Sequence, residues 1–167
     1  SLFDRFLALA ESKGMKVILC TPTATPPAWL TNAHPEVLNA RMDGTLMHHG
    51  HRRHYNYNSE VYREYTRKIV TRLAQRYGDH PAFHGWYIAP ETCIATEGSM
   101  EIYTRYSEFM KELDPGKPVL ISPYYPSFAY KTDTVDDRHR KFVDDWHRIL
   151  SSAKGIDYVA FQDTTCS

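Results

Sequence analysis

Glu91 lies in "HGWYIAPET", residues 84–92, at a point where a chain rarely places a carboxylate without a use. Trp86, Tyr87 and Ile88 have the aromatic and β-branched character of a buried strand, and Pro90 then removes a backbone donor and ends it. A carboxyl group at the rim of a core is partly desolvated, so its pKa rises and it can give or take a proton near neutral pH. A second acid, Asp163 in "FQDTT", follows another apolar run in the same way. It either supplies charge to a site or caps the helix and braces the loop after it. Flat side chains accompany both acids. Trp29 in "PPAWL" and Tyr124 and Tyr125 in "SPYYP" offer stacking surfaces for a ligand or packing for their own loops.

Other reactive residues are less organised. His48, His49, His51 and His54 crowd a polar stretch without metal-ligand spacing, and read as solvated or hydrogen-bonded histidines. Cys20, Cys93 and Cys166 are odd in number and far apart, which fits neither a disulfide framework nor a zinc motif. No metal and no diffusible cofactor is expected. Twenty basic and twenty acidic residues balance in 167 without a charge block, which argues against nucleic acid as a partner. No apolar run approaches a membrane span. The opening "SLFDRFLALAESKG" resembles the interior of a helix, so the chain reads as a single truncated domain, 1–167, with localisation open.

The elements that must position these residues follow from periodicity. Helical spacing predicts helices over 2–12, 59–77, 99–113 and 136–153, with Asn58 or Ser59 capping the second and Gly14, Gly78 and Gly155 near the ends of three. Four strand-length runs alternate with them: "KVILC", "FHGWYI", "PVLIS" and "DYVAFQ". They are nearly continuously apolar, which predicts strands covered on both faces, and the later ones lie roughly 35 to 40 residues apart, a βαβ spacing. The fold class is therefore α/β with a parallel sheet, either doubly wound or part of a (β/α)8 TIM barrel. In both, ligands bind at the carboxyl ends of the strands. "TPTATPPAW", "APETC", "SPYYP" and "DTTC" all follow strands, whereas "SKGMK", "GDHPA", "DPGKP" and "AKGID" enter them with plain turn chemistry. The long connection over 22–58, carrying Trp29, the histidines and a double arginine, is too long for an idle loop.

The motifs "PPAWL", "HPEVL", "RRHY", "NSEVYRE" and "RYGDHPA", in that order across about residues 14–92, resemble the family 42 glycoside hydrolases, bacterial β-galactosidases. The resemblance implies a partial TIM barrel holding about strands 2 to 6 with their helices. "KVILC" would be strand 2, "HHGHRRHYNY" a short strand 3 and "FHGWYI" strand 4. In that family strand 4 ends in Asn-Glu, the glutamate being the general acid/base, and Glu91 falls on its position. The family's nucleophile lies at the end of strand 7, beyond the strands expected here. Arg53 matches an arginine at the family's sugar site, where it either holds a sugar hydroxyl or braces the long loop. Trp29, Tyr125 and Asp163 complete the expected substrate-binding set. A zinc-ligating cysteine that often follows "RRHY" in the family is Asn56 here, so that metal is not expected.

Two departures matter. Pro90 replaces the asparagine before the acid, and it has no amide to hold a sugar 2-hydroxyl. From Gly85 onward, "GWYIAPET", "KPVLISPYY" and "IDYVAFQDT" look more like a glycosidase-like barrel family of unknown function, the 4434 family. The expected function is a retaining glycoside hydrolase acting on β-linked glycosides, inactive as an isolated fragment. The alternative is a non-hydrolytic carbohydrate-binding or structural barrel. The expected partners are a carbohydrate and either further copies of the chain or the remainder of the barrel.

Overall fold

The computed structural model describes residues 1–22, 27–37, 59–89, 99–123 and 134–162. Helix α1 (Leu2–Ser12) leads into strand β1 (Val17–Cys20), followed by the short helix α2 (Ala28–Ala33) and a 3-10 turn over Pro35–Val37. Then come α3 (Glu60–Tyr77), β2 (Phe83–Ile88), α4 (Ser99–Leu113), β3 (Val119–Ile121), α5 (Val135–Ser152) and β4 (Tyr158–Val159). The four predicted helices and four predicted strands are all present. Helix α2 was not anticipated, because six residues trapped between Pro27 and Pro35 show too few turns for periodicity to register.

The strands are parallel and stand in chain order, β1-β2-β3-β4. A doubly wound sheet would reverse its order at a switch point. Here consecutive strands add to the same side, as along the wall of a barrel. Leu19, Trp86, Ile88, Val119 and Ile121 point to one face, where they join Tyr62 and Val70 of α3, Tyr103 and Met110 of α4, and Trp146 and Ile149 of α5 in one core. Phe83 and Trp86 meet edge to face, with ring centroids 4.8 Å apart.

Two expectations need correction. β1 and β2 hydrogen-bond directly, Val17 opposite Phe83 and Cys20 opposite Tyr87, so no strand can lie between them. The numbering of these runs as strands 2 and 4 therefore fails, and the described strands are four in succession. The "HHGHRRHYNY" run itself lies outside the described residues. The strands are also not covered on both faces among the described residues. Cys20, Tyr87, Leu120 and Tyr158 form a lateral row on the second face. Cys20 and Tyr158 are exposed and Tyr87 and Leu120 half-buried. Apolar residues on that face are what a barrel interior requires, and this explains the near-continuous runs.

The ends where the chain enters the sheet are fixed by polar ties. Asp157 accepts from the Val119 amide at 2.8 Å and pairs with Lys111 at 2.7 Å, locking β3 against β4. Lys117 donates to the Phe83 carbonyl at 2.9 Å. Gly14, at φ 66°, ends α1 in a left-handed turn, with Met15 N–H bonded to the Ala10 carbonyl and Gly14 N–H to that of Glu11. Ser59 occupies the cap position of α3, but its hydroxyl makes no capping bond.

Candidate active site

The carboxyl ends of the four strands lie together at one rim of the sheet, where side-chain hydrogen bonds join the last backbone bonds of the ladder. Thr21, the residue after β1, donates its amide to the Tyr87 carbonyl at 2.9 Å. Its hydroxyl accepts from the Ala89 amide, also at 2.9 Å, and both residues are buried. On the other side, the Gln162 carboxamide donates to the Ser122 carbonyl and hydroxyl, each at 3.1 Å. The Ser122 hydroxyl donates to the Ala160 carbonyl at 2.9 Å, and the Gln162 amide to the Pro123 carbonyl at 2.9 Å. Thr21 and Gln162 thus tie the exits of β1 to β2 and of β3 to β4. Sequence reading passed over both. Each is a single polar residue in a turn-rich stretch, and only the pairing of the strands shows what it spans.

Of the expected site residues, Trp29 is described. It stands in α2, 62% exposed, its ring edge-on to Tyr65 at 5.7 Å. Tyr65 lies early in α3, so the indole is braced on one side and open on the other. A half-anchored indole is suited to stacking against a ligand. Glu91, Arg53, Tyr125 and Asp163 lie outside the described residues, as do His48, His49, His51 and His54. In sequence Glu91 follows the end of β2 by three residues and Asp163 follows Gln162 directly. Among the described residues no group of three His, Cys, Asp or Glu side chains could hold a metal ion. None of the described helices is long and apolar enough to cross a membrane.

A cleft of about 450 Å³ opens elsewhere, between α3 and α4. Glu60, Arg63, Arg67, Glu101, Arg105 and Glu112 contribute to its lining, and no strand residue does. Its charges are of mixed sign and pair within it: Arg105 with Glu101, Arg63 with Glu60. At its floor burial pushes the Tyr106 phenol up to about 12, partly offset by Thr66 and the nearby arginines. Neither the Tyr106 nor the Thr66 hydroxyl completes a hydrogen bond of good geometry. This is a helix–helix groove on the outer, helical side of the wall.

The sequence model of glycoside hydrolase family 42, described as beta-galactosidase, matches residues 1–113. The chain belongs to this family. The match starts before residue 14 and runs past Gly85 to the end of α4, so family membership extends further at both ends than the motifs suggested. A β-galactosidase of Halorubrum lacusprofundi is 48% identical over 83 residues, 50% of this chain and 12% of that protein. One from Thermus thermophilus is 48% identical over 83 residues, 50% of this chain and 13% of that protein. Among solved structures, the cold-adapted β-galactosidase of Rahnella sp. R3 superposes with a TM-score of 0.67 at 18% identity, over 98% of this chain and 31% of that one. The Halorubrum lacusprofundi enzyme gives 0.66 at 21% identity, over 98% and 32%. These likenesses show an α/β barrel-type fold with parallel strands across nearly the whole chain, which spans under a third of each of these two structures.

Proposed function

We propose that this family 42 chain is the strand 3 to strand 6 wall of a retaining glycoside hydrolase that cleaves β-galactosides, with Glu91 as its general acid/base. The observation that carries the reading is the family match over residues 1–113, a span that includes β2 and residue 91. If β2 is the fourth barrel strand, its direct neighbours β1 and β3 are the third and fifth, and β4 the sixth. Glu91 then follows the fourth strand, the place of the family's proton donor.

The chemistry asks for such a group. The leaving oxygen of a glycoside is a poor one, and an oxocarbenium-like centre develops as its bond breaks. Glu91 protonates that oxygen as it departs, then as carboxylate removes a proton from the water that frees the glycosyl-enzyme. The nucleophile is a second carboxylate about 5 Å from the first, and no residue of this chain is assigned to it. Trp29 stacks against the sugar, and Arg53, Tyr125 and Asp163 bind its hydroxyls.

A specific residue favours a second reading. Pro90 stands where the family has an asparagine, so the amide contact to the 2-hydroxyl, which strengthens in the transition state, is lost. A barrel that binds carbohydrate without cleaving it would tolerate that change. A chromogenic β-galactoside separates the two, using the full-length protein and its Glu91→Gln variant. The hydrolase reading predicts turnover by the wild type, and a fall of about 10²- to 10⁴-fold in the variant with sugar binding retained. No turnover by the wild type on a panel of β-glycosides it nonetheless binds would establish the second reading.

A further inference from the structure

The residues that follow β1 and β2 each precede a proline, Thr21–Pro22 and Ala89–Pro90. Neither proline has an N–H to offer a neighbour. The Ala89 amide is therefore the last backbone donor on β2 before Glu91. In an evenly continued parallel ladder it would bond to a main-chain carbonyl of β1. Instead the Thr21 hydroxyl takes it, at 2.9 Å, while the Thr21 amide holds the Tyr87 carbonyl at 2.9 Å. One residue thus grips β2 at two points, 87 and 89, and does so at 3% exposure, where water cannot compete. Its β-branched side chain has few rotamers to lose, so the grip is stiff.

We propose that Thr21 is a positioning residue for the general acid. It fixes where β2 leaves the sheet at Ala89, two residues before Glu91. The inference rests on the reading of Glu91 as proton donor. The proline at 90 makes the grip necessary: with no amide at 90 to bond, Ala89 is the nearest upstream point at which the backbone N–H can be held.

The test compares Thr21→Val, which keeps the shape and removes the acceptor, with Thr21→Ser, which keeps the acceptor, in the full-length enzyme. Glu91→Gln is measured alongside. The readout is kcat/KM on two galactosides, an alkyl one whose leaving group needs protonation and a dinitrophenyl one whose leaving group does not. Thr21→Val is expected to lose about tenfold or more on the alkyl galactoside, the scale of cost for a misplaced catalytic group, and less than about threefold on the dinitrophenyl one. Thr21→Ser should recover most of the alkyl activity. A protein damaged generally would lose both substrates together. Should valine prevent folding, Thr21→Ala, which leaves room for a water at the Ala89 amide, replaces it in the same comparison. Equal losses on both substrates, or none, in a protein whose Glu91→Gln variant does show the leaving-group split would overturn the role of Thr21 alone. Absence of the split in Glu91→Gln would overturn the assignment of Glu91, and this inference with it.

Discussion

Tyr106 shows how a single buried group sets a limit on stability without touching the site. Its phenol is held protonated to about 12 by burial, against about 10 for an exposed tyrosine. The unfolded chain therefore releases this proton first as pH rises. The stability that the buried phenol contributes is complete below pH 10 and drains away between about 10 and 12, by roughly 3 kcal/mol at most. Tyr106→Phe should remove that alkaline loss. It should cost little at neutral pH, because the hydroxyl makes no well-formed hydrogen bond. Urea denaturation of both proteins across pH 8 to 12 measures the difference. Pro90 and the apolar run before it single out Glu91 in the sequence. The tie at Thr21 could not be read there, because it is a hydrogen bond across 68 residues of sequence.

Among the elements, β2 carries the most constraint. Gly85 faces the β3 side so closely that an added Cβ would lie 2.4 Å from the Pro118 carbonyl oxygen. Backbone cannot yield there as a flexible side chain would. Gly85→Ala should destabilise the protein by about 2 kcal/mol or more, as forced overpacking does, and thermal melting checks it. The helices were legible because Tyr103, Tyr106 and Met110, or Trp146 and Ile149, repeat at helical spacing and all reach the core. α1 was legible as a helix but not in its burial. Leu7 and Ala10 are buried, whereas Leu2, Phe6 and Leu9, equally apolar, are exposed. The strands were legible in place but not in neighbours. Period and composition reveal a strand, while pairing β1 directly with β2 depends on contacts across the long 22–58 connection, which no local pattern records.

The whole molecule is an arc of parallel strands with two described edges, β1 and β4. Apolar side chains flank each edge: Leu2, Phe6 and Leu9 on α1, and Val143, Leu150, Tyr158 and Phe161 near β4. Unpaired strand edges beside exposed apolar faces recruit further chain. Residues 1–167 expressed alone should self-associate, eluting beyond the monomer position in size exclusion at micromolar concentration. A sharp monomer peak would show that the arc can shield its own edges. In parallel α/β folds ligands bind at the carboxyl ends of the strands, and the proposal concerns one carboxyl group that follows β2 in sequence. A crystal structure of the full-length protein with a bound, uncleaved galactoside tests it directly. The Glu91 carboxyl is expected within about 3 Å of the glycosidic oxygen, at the same rim as Thr21 and Gln162. A Glu91 side chain turned into bulk solvent, or a sugar bound at the opposite end of the strands, would contradict it.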